Sequence, residues 1–94
     1  EVLPQATLDL HGRRKNEALN DLDGFLRENQ KLGHDVVRIV TGRGLHSADL
    51  GVLREMVPVL LRRRWPNAVR EVIPAPAALG GEGALVVLLR RKET

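Results

Sequence analysis

Two short segments of the chain contain residue types suited to proton transfer and anion binding. In the first, LDLHG, alternation along an extended chain places Asp9 and His11 on the side opposite the leucines. An unperturbed histidine titrates at about pH 6.5, and a neighbouring carboxylate fixes its tautomer and stabilises its charged form. The pattern therefore offers Asp9 and His11 as a general acid–base pair. The alternative is structural: a turn or capping carboxylate beside a hydrogen-bonded loop histidine.

The second segment, TGRGLH, follows an apolar run and contains Thr41, Gly42, Arg43, Gly44 and His46. Glycines there let backbone N–H groups approach an anion, and a helix N-terminus behind them adds partial positive charge. Plain turn chemistry explains the same spacing. The loop has neither the third glycine of a dinucleotide fingerprint nor the Gly-Lys-Ser/Thr of a P-loop, so both are excluded. His46 is either a second imidazole of the site or an exposed side chain.

Basic residues form three clusters: Arg13, Arg14 and Lys15; Arg62, Arg63 and Arg64; and Arg90, Arg91 and Lys92. The first cluster directly follows LDLHG, so together with Arg43 it is placed to contact phosphates that flank the site. The second is predicted in the last turn of a helix, where cations stabilise the negative end of the helix dipole. The third is predicted to be a solvated end of the chain.

Hydrophobic periodicity predicts four strands and two helices in the order βαβαββ. The predicted strands are 6–10, 35–40, 68–73 and 84–91, and the predicted helices are 15–32 and a segment after loop 41–51 that ends by residue 65. We expect Gly33 to end the first helix. We expect Pro58 to kink or restart the second helix. Gly24 costs the first helix some stability or marks a close packing contact.

This order predicts an α/β fold of the α+β two-layer type, with a four-stranded mixed sheet and both helices on one face. Two right-handed crossovers make the first three strands parallel neighbours, and the last strand returns antiparallel. The β-branched run 35–40 predicts a strand covered on both faces. LDLHG and TGRG then close neighbouring parallel strands, so we expect them to meet at one edge of the sheet.

Three other side chains are assigned structural positions. The only aromatic residues, Phe25 and Trp65, fall in or beside apolar stripes, which disfavours a platform on which bases stack. His34 is predicted at the surface without polar neighbours.

The composition of the chain excludes several kinds of site and several classes of protein. The chain has no cysteine, so thiolate metal sites, thiol nucleophiles and disulfides are excluded. No run approaches the roughly 20 apolar residues that span a bilayer, and we expect a cytoplasmic, monomeric protein without membrane contact. A net charge of +3 suits an anionic partner. Residues 1–94 are expected to form one domain, and a first residue other than methionine is compatible with a piece of a longer protein.

The chain resembles Smr (small MutS-related) domains of the stand-alone bacterial type. The matching residues are LDLHG at 8–12, EAL at 17–19, VRIVTGRG at 37–44 and GGEGALVVLLRR at 80–91. Many Smr domains carry histidine at the position of Thr41, so this loop departs from that pattern. A capping serine or threonine is common in them at the position of Arg14, so the resemblance leaves Asn16 as the expected cap of the first helix. The resemblance implies a fold like the C-terminal domain of bacterial translation initiation factor 3.

The resemblance also implies nuclease activity, since some members of the family nick DNA and others cleave RNA, including messenger RNA at stalled ribosomes. By position it makes Asp9 and His11 catalytic, and Thr41 to Gly44 the loop that binds the nucleic-acid backbone. RNA is the favoured substrate, DNA nicking is second, and the ribosome is a further candidate partner. No cofactor is required by the pattern. A divalent cation such as Mg²⁺ is compatible with these residues, although a single carboxylate supplies few of the oxygen ligands that such an ion needs.

Two other functions stay open. A non-catalytic module would dock on branched nucleic acid or on a ribosomal surface through the same basic edge. A small-molecule phosphate enzyme would need a deeper pocket than so short a chain offers.

Overall fold

The described part of the chain forms six regular elements in the predicted order. The computed structural model describes residues 3–42 and 48–92, without the side chains of 48–52. The elements are β1 (Thr7–Asp9), α1 (Lys15–Lys31), β2 (Val36–Val40), α2 (Ala48–Arg64), β3 (Val69–Pro74) and β4 (Ala84–Leu89), with single 3₁₀ turns at Ala77–Leu79 and Gly81–Gly83. The predicted fold class, two helices on a four-stranded mixed sheet, is confirmed.

The strand order in the sheet is β1-β2-β4-β3, which corrects one prediction. β1 and β2 are parallel neighbours, but β4 is inserted antiparallel between β2 and β3, so β3 is not a neighbour of β2. Burial explains the arrangement. Consecutive residues Val86 and Val87 of β4 are both buried, which requires cover on both faces and therefore a central position. β3 carries a bulge between Val69 and Glu71, a feature suited to a sheet edge.

The main core lies between the sheet and the two helices. Both helices contribute buried aliphatic residues to one cluster with β2 and β4: Ala18, Leu22, Leu26, Leu53, Val57, Leu61, Val37, Ile39 and Val87. The other face of the sheet is only partly covered, by a small cluster around Ala75, Ala84 and Val86. Alternate residues of β2 are accordingly half-buried, so the predicted cover on both faces of this strand is only partial on the second face.

The ends of α1 follow hydrogen-bonding needs rather than the predicted cap. Helix α1 begins after Arg14, whose backbone N–H donates to the Glu17 carboxylate at 2.9 Å, so Asn16 is not the cap. Gly33 follows the helix with a φ of +74°, as a C-terminal stop requires. Helix α2 continues through Pro58 as one element. A Cβ at Gly24 would meet nothing within 4 Å, so no close packing contact explains that glycine.

The aromatic residues and His34 are held by the core and by polar partners. Phe25 and Trp65 pack against the main cluster, and the Trp65 indole N–H donates to Asp23 at 3.0 Å. The His34 ring nitrogen Nδ1 lies 2.7 Å from the Asn29 side-chain oxygen, so the prediction that His34 lacks polar neighbours is wrong. Across the ranges 3–42 and 48–92, neither helix is long and apolar enough to cross a membrane.

Candidate active site at the carboxyl edge of the sheet

A tight turn after β1 presents the first motif. The Arg13 N–H donates to the Leu10 carbonyl at 2.9 Å, and Gly12 between them has a φ of +77°, which only glycine adopts readily. Leu10 is fully buried and its N–H donates to the Val40 carbonyl at 2.7 Å. The end of β1 is therefore fixed beside the end of β2, with the residues flanking Leu10 facing outward.

One carboxylate oxygen of Asp9 holds His11 twice. Asp9 Oδ1 accepts the His11 backbone N–H at 3.0 Å and lies 2.8 Å from ring nitrogen Nδ1. The backbone hydrogen bond is the main cause that lowers the pKa of Asp9, partial burial opposes it, and the ring contact adds to the lowering. An ionised carboxylate can only accept, so Nδ1 must carry a proton. This leaves Nε2 of a side chain that is 69% exposed as the nitrogen that can exchange a proton with a ligand.

Gly42 brings the second motif against the first. Its φ is +82°, and a Cβ placed on it would lie 3.3 Å from the His11 Cβ. The prediction that LDLHG and the glycine loop meet at one edge therefore holds for Gly42. The remaining loop residues of the prediction, Arg43, Gly44 and His46, lie outside the described residues.

The carbonyl of Gly83 holds the base of the glycine loop. It accepts the backbone N–H groups of Thr41 at 2.8 Å and of Gly42 at 3.1 Å. The buried Thr41 hydroxyl lies 3.2 Å from the Gly42 carbonyl oxygen and 3.4 Å from that of Gly83. Thr41 is therefore an anchor of the loop, and the Gly42 N–H is already bonded within the protein rather than directed at an anion.

Sequence reasoning missed Gly83. The signal for it was the breaker-rich GGEG that precedes the apolar run of β4. Within this segment Gly80 has a φ of +117°, and a Cβ on it would lie 2.7 Å from the Ala84 Cβ. The glycine at position 80 thus lets the chain turn closely enough to aim the Gly83 carbonyl at the loop.

The basic cluster after the turn is divided between two tasks. The Arg13 guanidinium donates to Asp21 at 2.8 Å and lies 3.5 Å from Glu17, contacts that raise the pKa of Arg13 and tie it to α1. Arg14 and Lys15 are exposed, and neither side chain is bonded to any residue of the described ranges. Two of the three predicted cations are therefore free to meet an anion beside His11.

No metal cluster occurs in the part of the chain that the structure describes: it has no group of three or more histidine, aspartate or glutamate side chains that could hold an ion. Asp9 is the carboxylate nearest to His11 in sequence and contact, and it is the residue that would hold a divalent ion if one bound there.

A family model described as Smr domain matches residues 8–90. The Smr domain of Thermus thermophilus MutS2 is 35% identical, with a TM-score of 0.78 over 90% of this chain and 98% of that one. YdaL, a stand-alone small MutS-related protein from Escherichia coli, is 27% identical, with a TM-score of 0.82 over 95% of this chain and 67% of that one. The chain belongs to the Smr domain family.

Relatives of greater length carry the same segment. Endonuclease MutS2 of Streptococcus pneumoniae (strain D39 / NCTC 7466) is 37% identical over 87 residues, which are 93% of this chain and 10% of that protein. The chain therefore spans about a tenth of the length of this relative. That relative is named as an endonuclease.

The lowered pKa of Asp9 predicts a pH-dependent contribution to stability. Because the native pKa lies below the ordinary value of 3.8, the ionised carboxylate stabilises the fold above that value, and the stabilisation is lost as the pH falls through the native pKa. Asp9→Asn should therefore unfold at lower urea concentration than the wild type at pH 6. The difference should shrink as the pH is lowered below about 4. A difference that is constant with pH would contradict the assignment.

The contact of Gly42 with His11 predicts a difference between two alanine variants. Gly42→Ala and Gly33→Ala both place a Cβ on a backbone of positive φ, so each should lower the free energy of unfolding by about 1–2 kcal/mol. Only the Cβ of the first meets His11, since nothing lies within 4 Å of the second. Urea unfolding and the NMR resonances of the His11 ring check this. Ring resonances that do not move in Gly42→Ala would contradict the contact.

Proposed function

We propose that this Smr domain is an endonuclease that cleaves RNA, with DNA nicking as the alternative. The observation that carries the proposal is the exposed imidazole of His11, oriented through Nδ1 by an ionised Asp9 and placed against Gly42 of the glycine loop. A histidine held in this way on a sheet edge has its second nitrogen available for proton transfer. Arg14 and Lys15, which have no side-chain partner among the described residues, lie on the same edge.

For RNA, the chemistry uses the ribose 2′-hydroxyl. Nε2 of His11 takes the hydroxyl proton, O2′ attacks phosphorus, and the P–O5′ bond breaks to give a 2′,3′-cyclic phosphate. The leaving O5′ takes a proton from the imidazolium or from water, which restores the charge balance. For DNA, which lacks this hydroxyl, Nε2 would activate a water molecule instead. Asp9 stabilises the imidazolium that forms in either case.

Charge on the phosphate is stabilised by groups around the turn. Arg14 occupies the position just before α1, and Lys15 is the first residue of the helix. Both cations therefore lie at the positive end of the helix dipole, three and four residues after His11. In the proposal Arg43 and the Gly44 N–H add to them, whereas the Gly42 N–H serves the loop through Gly83. The cations therefore take over part of the anion binding that the glycine spacing assigned to the backbone N–H groups of the loop. A divalent ion such as Mg²⁺, if it takes part, would bind the phosphate oxygens and Asp9.

The proposal is tested by cleavage of three labelled oligonucleotides of one sequence: RNA, DNA and 2′-O-methyl RNA. The wild type should cut the RNA and leave the 2′-O-methyl strand intact. His11→Ala and Asp9→Ala should each slow cleavage about 10²- to 10⁴-fold, the contribution of a general acid–base group. His34→Ala is the matched control, because His34 also bonds through Nδ1 but lies at the other end of α1.

Three results decide between the functions. Cleavage with a 2′,3′-cyclic phosphate end and loss in both site variants support the RNA nuclease. Cleavage of the 2′-O-methyl strand and of DNA alike replaces attack by the ribose hydroxyl with attack by water. Binding without cleavage of any strand, unchanged in both variants and with or without Mg²⁺, overturns the enzyme and leaves a docking module.

A further inference from the structure

A second basic surface lies at the edge of the sheet opposite His11. A groove of about 440 Å³ opens between the ends of both helices and the segment after β4. It adjoins another groove, of about 470 Å³, with which it shares Gln30, Asn67 and Lys92. We define the basic groove by its six cationic side chains: Arg27, Lys31, Arg64, Arg90, Arg91 and Lys92. No acidic side chain lines either of the two cavities.

Hydrogen bonds from side chains to backbone carbonyls hold the basic groove together. The Gln30 side-chain amide donates to the Asn67 carbonyl at 3.2 Å and to the Arg90 carbonyl at 3.1 Å. The Arg90 guanidinium donates to the Pro66 carbonyl at 2.9 Å. The Arg64 guanidinium lies 5.8 Å from the centre of the Trp65 ring. These contacts hold the groove in place before a ligand binds, which lowers the entropic cost of binding.

Helix-end stabilisation explains only part of this charge. Lys31 and Arg64 lie in the last turns of α1 and α2, where a cation offsets the negative end of the dipole. The cations at 90–92 follow a strand and have no such role. Arg27 is paired with Asp23, and Arg91 lies 3.5 Å from Asp35. Lys31 and Lys92 are exposed and make no ion pair within residues 3–42 and 48–92.

The two edges differ in their balance of charge. At the His11 edge, the described cations Arg13, Arg14 and Lys15 stand beside the carboxylates of Asp9, Glu17 and Asp21. At the opposite edge the basic groove has six cations, and of the described carboxylates Asp23 and Asp35 pair with two of them. A row of cations along connected grooves suits a linear polyanion better than a single phosphate, and a concave groove suits a strand better than a flat membrane surface.

We propose that the basic groove binds the phosphodiester backbone of the nucleic acid at a point distant from the bond that is cut. The nature of the ligand rests on the proposed function, whereas the existence of the second surface does not. Helix α1 has 17 residues and runs from the His11 turn to Lys31, so the two surfaces are about 25 Å apart. A B-form DNA duplex covers that distance in roughly seven base pairs at 3.4 Å each.

The test compares two double variants that lower the net charge equally. Lys31→Gln/Lys92→Gln removes two cations of the basic groove, and Leu3→Glu/Ala77→Glu adds two carboxylates at exposed positions outside it. Affinity for a 20-nucleotide RNA is measured by fluorescence anisotropy as a function of salt, with thermal unfolding as the check on the fold. The plot of log K against log[salt] should lose about 1.4–1.8 in slope in the groove variant and less in the control.

Length and ligand class provide the other arms. A tetranucleotide is too short to reach both edges, so the two double variants should affect its cleavage equally. Half-maximal cleavage of the 20-nucleotide RNA should need more protein in the groove variant than in the control variant, because only the groove variant loses contacts with the distant backbone. Vesicles containing phosphatidylserine test a lipid surface. Loss of vesicle binding in the groove variant with no change for RNA would overturn the proposal.

The two proposals fail in different ways. An unchanged salt slope in the groove variant, beside normal cleavage, overturns the basic groove alone. A groove-dependent slope in a protein that cuts no strand overturns the nuclease alone and supports the groove as a binding surface.

Discussion

The candidate site depends on one carboxylate oxygen. Asp9 Oδ1 accepts the backbone N–H of His11 and contacts its ring, so the same atom shapes the turn after β1 and selects the nitrogen that carries the proton. Leu10 makes the exposure of this pair possible. Because Leu10 is buried and bonded to Val40, the side chains of the two flanking residues point to solvent. A local hydrogen-bond pattern and a core contact together produce an exposed, oriented imidazole.

The second motif is supported by the residue that precedes the neighbouring strand, β4. Gly83 stands directly before β4, and its carbonyl receives the amides of Thr41 and Gly42. That contact exists only because β4 lies next to β2, which is the feature of the topology that differs from the expected strand order. The position of the apolar β4 therefore bears on the site as well as on the core. It also explains why a buried threonine serves at position 41, since the hydroxyl lies within reach of two carbonyl oxygens.

Much of this arrangement could be predicted from the sequence. Alternation in LDLHG, helical spacing in 15–32 and the breakers around 74–83 determine the elements, and the sheet-edge rule brings His11 and Gly42 together. The order of β3 and β4 could not be predicted from crossover rules, since it depends on which apolar strand needs cover on both faces. Hydrogen bonds between residues that are not adjacent in sequence could not be predicted either. They are the bonds of the Gly83 carbonyl to the glycine loop, of Arg13 to Asp21, and of His34 to Asn29.

The central claim is that Asp9 forces the proton of the neutral His11 imidazole onto Nδ1 and leaves Nε2 unprotonated. Long-range ¹H–¹⁵N NMR of the ring measures this directly at a pH where the imidazole is neutral. The structure predicts a protonated Nδ1 shift and an unprotonated Nε2 shift for His11, with a change toward mixed tautomers in Asp9→Leu. A proton on Nε2 in the wild type would contradict the account.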